Sequence, residues 1–302
     1  MTGGMDNPVD TVFTPGGERI FSTTFLVRPA AGFRDGLIHA IYGGIYGKDN
    51  DPVYEADHKW TAPDFMPVLV HQGPSAPCGL HRYESDQFGR EYQNNLFSCQ
   101  FNLRKIGRHS LTPSGATYTS ENSDFVMSDS SDFHPTDVIE DADGSLLVMN
   151  TGGWYKLCCP SSQLVRDDVL GGIYRVKKSG SHKVSDSRGL LINWKSSSPG
   201  NLTRLLNDSR TAYRRRAIDE LGSRGAAAIP AIRPLLADAK SPPVAALAAV
   251  WTACRIDGDD ARNAIRSALA HADETVRQAA LHSVSLWRDR DRKSTRLNSS
   301  HR

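Results

Sequence analysis

Residues 134–151, HPTDVIEDADGSLLVMNT, repeat residues 7–24, NPVDTVFTPGGERIFSTT, without a gap at a constant offset of 127. Pro8 corresponds to Pro135, Asp10 to Asp137, Gly17 to Gly144 and Thr24 to Thr151. Each copy is a β-branched or apolar run, a tight turn (PGG or ADG) and a second apolar run, which is the pattern of a β-hairpin. The stretch GLHRYESDQFGREYQNNLFSCQF (79–101) offers a further strand pair around Asn94 and Asn95, and KIGRHSLTPSGATY and GGIYRVKK add more short strands. A propeller blade takes about 40–45 residues, so the offset reads as three blades.

Residues 1–180 are therefore expected to form a partial β-propeller of about four blades, with a two-sheet sandwich as the alternative. The unpatterned stretch 27–75 is too long for a blade turn and is expected to lie over one face. After residue 200 the period changes from strand to helix. LTRLLNDSRTAYRRRAIDEL (202–221), IRPLLADAKSPPVAALAAVW (232–251) and IRSALAHADETVRQAALHSV (265–284) each carry a helix end, a polar turn and an Ala-rich helix. Leu206, Leu236 and Leu269 hold equivalent places, as do Ala217, Ala248 and Ala280. Small residues at that spacing let helices approach, as in an α-helical HEAT-like solenoid over 201–290. Residues 181–200 read as linker. KSTRLNSSHR at the C-terminus breaks the helical pattern and has no apolar face, so 291–302 read as a non-native tail.

Charge separates the halves. The chain of 302 residues has 36 Lys+Arg and 34 Asp+Glu. Residues 1–180 hold 15 basic and 22 acidic side chains, and 181–302 hold 21 and 12, so the first half is acidic and the second basic. The arginines of YRRRAIDEL spread around a helix and read as a solvated face, with no nucleic-acid site implied. No run of about 18 apolar residues is present, so no membrane segment is encoded in this chain, and MTGGMDNPVD lacks the basic-then-apolar order of an export signal.

The run GLHRYES…YQNNLFSCQFNLRKIGRHSLTPSGATY…DFHPTDVIEDADGSLLVMNTGGWYKLCCP…LGGIYRV, followed by the helical repeats, resembles the large bacterial membrane-bound dehydrogenases. In that family a propeller similar to the quinoprotein glucose and sorbosone dehydrogenases precedes HEAT repeats and a c-type haem domain. The resemblance implies a quinone-dependent sugar or alcohol dehydrogenase, pyrroloquinoline quinone and calcium as cofactors, and a periplasmic or cell-envelope location. This chain has no C-x-x-C-H, so the haem site is absent from it. The family's catalytic His maps onto no position here. The chain is expected to be a fragment that does not turn over alone; the alternative is a non-catalytic propeller and HEAT module binding carbohydrate or protein.

Candidate ligand- or cofactor-binding residues are Asn7, Asp10, His134 and Asp137, which would start equivalent inner strands facing a central channel, with Trp154 and Tyr155 available to stack on a planar ring. Their structural alternative is that the aspartates accept backbone N–H bonds. EDADG (140–144) lacks calcium-loop spacing and reads as a hairpin turn. Of five cysteines, Cys254 reads as a small core residue. Cys78, Cys99, Cys158 and Cys159 are disulfide candidates for an oxidising compartment, with Cys158 or Cys159 expected to pair with Cys78 or Cys99. Adjacent Cys158 and Cys159 suit no shared metal site, and no metal ligands are assigned.

Overall fold

The computed structural model describes residues 2–5, 7–28, 33–47, 65–156, 163–166 and 168–288. The chain divides into a sheet unit ending at Lys183 and a helical unit beginning at Val184.

Four antiparallel sheets make up the described part of the first unit. Strands β1 (Pro8–Phe13), β2 (Arg19–Arg28), β3 (Phe33–His39) and β4 (Val70–Gly73) form the first in simple meander order. The second repeats that order with β5 (Pro77–Arg82), β6 (Leu96–Gln100), β7 (Lys105–Ser114) and β8 (Thr117–Met127). In the third, β9 (Pro135–Glu140) pairs β10 (Leu146–Asn150), which pairs β13 (Gly172–Val176). Between β10 and β13 the chain makes a separate two-stranded sheet, β11 (Trp154–Lys156) with β12 (Gln163–Val165).

Meanders whose first strands adjoin, and whose faces pack on one another, are the blades of a β-propeller. Here β1 lies against β5 and β5 against β9. Val12, Ile20, Leu37, Leu80 and Leu96 fill the space between the first two blades. Tyr83, Phe97, Cys99, Ile106, Val138, Leu146 and Val148 fill the next. The repeated hairpins open the first and third blades, so the offset of 127 spans two blade steps, where the sequence suggested three. Inner strands start at Pro8, Pro77 and Pro135, steps of 69 and 58 residues. These steps exceed the usual blade length because the β3–β4 and β5–β6 connections are long. Proline suits the first residue of a strand, where no ladder donor is lost. The turns expected at the glycines are present, with Gly17 and Gly144 at φ 95° and 76°.

In the helical unit, α1 (Pro199–Leu205) pairs with α2 (Thr211–Ser223), α3 (Ile229–Ala237) with α4 (Pro243–Cys254), and α5 (Asp259–Ser267) with α6 (Glu274–Leu286). Ala217 and Ala280 are fully buried and Ala248 nearly so, while Leu206 and Leu236 are buried beside them, as the repeat required. Ser198 caps α1 through Asn201 N, with Pro199 at the first helical position, and Asp273 caps α6 through Thr275 N and Val276 N. From Val184 the segment read as linker packs on the first helix pair: Trp194 is buried, its indole N–H donating to Gly189 O at 2.7 Å, and Tyr213 Oη donates to Asp186 at 2.6 Å. The arginines of YRRR serve this packing, with Arg214 donating to Asp208 O and Arg216 lying over the Trp194 ring. No described helix is long and apolar enough to cross a membrane.

Candidate functional site

The repeated motif places Asp10 and Asp137 third in their inner strands, and Gly79 holds the same place in β5. Asp10 accepts from its own neighbour, Thr11 N, at 2.7 Å and from Leu80 N of the next blade at 2.8 Å. Asp137 accepts from Val138 N at 2.8 Å. The two carboxylates flank Gly79, where a Cβ would run into Asp137, so glycine is required by close approach. Burial pushes Asp137 above the usual carboxylate range; the Val138 N–H works against this and the Asp10 charge adds to it. Asp10 thus joins neighbouring inner strands, and the blades are tied further by Ser22 Oγ donating to Cys78 O at 2.9 Å and by Glu84 N donating to Glu140 at 2.6 Å.

Asn7 and His134 are not brought together with the aspartates in one hydrogen-bonded group. Asn7 is exposed ahead of β1. His134 is buried, its ring stacked on Phe101 at 4.5 Å and its Nδ1 3.5 Å from Phe101 O. Its backbone N–H donates to Asn150 Oδ1 at 2.8 Å, an oxygen that also takes Gly152 N. Burial lowers the His134 pKa, opposed by the Phe101 carbonyl. The side chains of Trp154 and Tyr155 lie outside the described residues, as do Cys158 and Cys159.

Cys78 and Cys99 are free thiols in adjacent strands of the second blade. The register brackets them, with Pro77 opposite Gln100 and Leu80 opposite Ser98 across a bulge. Burial pushes the Cys78 thiol up to about 11 and Cys99 well above its ordinary value, so neither is an activated nucleophile. Cys254 is half-buried against the helical core, as read from the sequence. In DADG, Asp143 binds Lys177 at 2.8 Å and Asp141 binds Arg175 at 2.8 Å. Burial favours the neutral form of Asp143, but the bonds from Lys177 and Ser145 outweigh it and hold the carboxyl far below its ordinary value. The turn closes a hairpin whose carboxylates already have cationic partners.

A second polar assembly, which the sequence did not signal, spans the first two blades. Gln72 on β4 donates through Nε2 to Ser98 Oγ on β6 at 2.7 Å, and Ser98 Oγ lies 2.8 Å from His109 Nε2 on β7. His109 Nδ1 is 2.7 Å from Asn122 Oδ1 on β8. Because Asn122 Oδ1 can only accept, the His109 proton sits on Nδ1 and Nε2 accepts from Ser98. Burial lowers the His109 pKa to about 4, so the ring is neutral near pH 7. Ser98 and His109 sit at nucleophile–base distance, yet Ser98 is 1% exposed and covered by Gln72, so the chain orients side chains and offers no accessible nucleophile. No sequence motif could have shown it, since its members lie on four strands.

Against known proteins, a family model described as a domain of unknown function (DUF7133) matches residues 43–179. The HEAT-repeat model matches residues 198–285. The second unit is a HEAT-repeat solenoid. No curated protein matches the chain. Seven chains of solved structures match. Among them is an oxidoreductase (glucose dehydrogenase) from Thermus thermophilus, 18% identical with a TM-score of 0.38, covering 58% of this chain. The present chain spans 45% of that protein's length.

Proposed function

We propose that this chain contributes framework blades and a HEAT arm to a dehydrogenase-like propeller protein of the quinone-dependent sugar or alcohol type, and that it does not oxidise substrate by itself. The reading rests on one observation: the Asp10 oxygens both receive backbone N–H groups, one of them from the next blade, while Asp137 takes the N–H of its own neighbour Val138 and lies against Gly79. A general base needs a free acceptor within reach of substrate, and both oxygens of Asp10 are committed to backbone N–H groups. The described residues do not fit calcium. Among them no cluster of three His, Cys, Asp or Glu side chains is arranged for a metal ion, and the DADG carboxylates hold Arg175 and Lys177. In the proposed setting the protein belongs to the cell envelope, and the solenoid offers its surface to a protein partner, the use to which stacked helical repeats are commonly put.

The test is dye-linked oxidation of glucose and other aldoses by the purified chain with added pyrroloquinoline quinone and Ca²⁺. The expected result is no turnover above the protein-free control. Turnover that disappears in Asp137→Asn would overturn the framework assignment.

A further inference from the structure

The outer edges of the three blades differ. A fourth strand closes each of the first two meanders, β4 and β8, whereas the third sheet has three described strands and ends on β13. β8 is a protected edge: its sequence, TYTSENSDFVM, sets Glu121 and Asp124 among serines and an asparagine, and charge on an edge discourages a further strand. β4 is only four residues long. β13, GIYRV, has neither defence. It contains no proline, and its one charged residue, Arg175, is held by Asp141 at 2.8 Å and Asp143 at 3.2 Å. Yet Ile173 is 70% exposed and Tyr174 51%. Successive strand residues point to opposite faces, so this edge is apolar on both. No described residue pairs with the outer side of β13, where alternate N–H and C=O groups are left to solvent.

The strand is complementary to itself. About a two-fold axis through Tyr174, antiparallel copies set Tyr174 against Tyr174, Ile173 against Arg175 and Gly172 against Val176. Residues directly opposite share a face, so the two tyrosines meet across the axis, each already edge-on to its own Phe133 at 6.1 Å. On the other face the aliphatic stem of Arg175, its head fixed by the two aspartates, lies along Ile173 of the other copy. Charge follows the same symmetry. The chain approaches β13 past the exposed Asp168 and leaves it through the exposed Lys177 and Lys178. Antiparallel pairing brings the acidic entry of each copy toward the basic exit of the other.

We propose that the open edge of β13 is a dimerisation site and that its occupant is β13 of a second copy of this chain. Joined antiparallel, the two third blades become one continuous sheet, three strands from each copy, in the order β9-β10-β13-β13-β10-β9. The contact is isologous, the same patch on both partners, which is the commonest arrangement in homo-oligomers. Main-chain hydrogen bonds supply the affinity, and the Tyr174 pair with the two Ile173–Arg175 contacts fixes the register. A join of five residues is short, so the dissociation constant is on the order of 10–100 μM. The site stands independently of the dehydrogenase reading, since it uses the outer edge of a blade and no inner strand.

The test is sedimentation velocity of the full chain from about 2 to about 200 μM, a range that spans the expected constant. The unmodified chain should pass from monomer to dimer. Tyr174→Lys and Tyr174→Glu each set like charges directly opposite across the axis and should weaken dimerisation by about tenfold or more. An equimolar mixture of the two variants should regain it, because Lys then faces Glu. If neither variant folds, Ile173→Lys, at a more exposed position, should weaken the dimer to the same extent. Leu191→Lys removes an exposed leucine of the helical unit and should leave dimerisation unchanged, which separates this edge from general apolar association. A chain that stays monomeric throughout the range overturns the proposal. So do undiminished dimerisation in a folded Tyr174 or Ile173 variant, a mixture that fails to regain it, and an equal loss in Leu191→Lys.

Discussion

The two units solve the same problem of buried polar groups in opposite ways. In the helical unit the backbone satisfies itself locally, and the core is built from alanines and leucines at repeated positions, Ala217, Ala248, Ala280, Leu206 and Leu236 among them. In the sheet unit the groups that decide the structure reach far along the chain: Asp10 to Leu80, Ser22 to Cys78, Gln72 to Ser98, Tyr83 to Gly144. A solenoid can therefore be read repeat by repeat, whereas a propeller is specified by bonds between blades. The sheet unit should accordingly respond to loss of single polar atoms, and the helical unit mainly to loss of volume.

The largest effect expected in either unit is still a cavity. Leu146→Ala, at a fully buried position between the second and third blades, should cost about 2–5 kcal/mol in urea unfolding, and Leu221→Ala in α2 should cost the same range. A loss under about 1 kcal/mol at Leu146 would mean that the blade faces are not packed as described.

pH distinguishes the units more sharply. The folded pKa of His109 is depressed from 6.5 to about 4, so the neutral form is favoured by folding. Its contribution is fully present above about pH 6.5 and is lost as pH falls toward 4. The loss amounts to about 3 kcal/mol. Urea midpoints measured from pH 7.5 to 4 should fall steeply in the unmodified chain and less steeply in His109→Gln. Equal slopes in the two proteins would show that the Gln72–Ser98–His109–Asn122 chain is not closed in solution.

Smaller still is the bond between inner strands. Asp10→Ala strands the Leu80 N–H and should cost about 1–2 kcal/mol, while Asp10→Asn, which retains an acceptor, should recover most of it. No difference between the two variants would remove the case that this carboxylate joins blades. At the bottom of the scale, Asp273→Ala deletes the α6 cap and should cost about 1 kcal/mol, an effect confined to one helix end.

Disulfide mapping bears on the same contrast. Cys78 and Cys99 occupy one blade, so a link from either to Cys158 or Cys159, checked by non-reducing peptide mapping after oxidative refolding, would tie the second blade to the segment following β11.

The local grammar of this protein was legible in the sequence. Gly17 and Gly144 marked hairpin turns because only glycine adopts their positive φ without strain, and the alanine and leucine positions marked helix pairs because a packed helix must repeat its small and large residues. The aspartates of the repeat were visible too, as residues able either to bind a ligand or to accept backbone N–H bonds. Tertiary structure alone showed where their oxygens go, since Leu80 N is 70 residues from Asp10. It alone showed that the repeat spans two blades, because long connections inside a blade stretch the period without changing the strands. And it alone assembled Gln72, Ser98, His109 and Asn122, whose hydrogen bonds join four strands of two blades. A bond between side chains distant in sequence leaves no periodicity behind, and only the pairing of the strands brings its partners within reach.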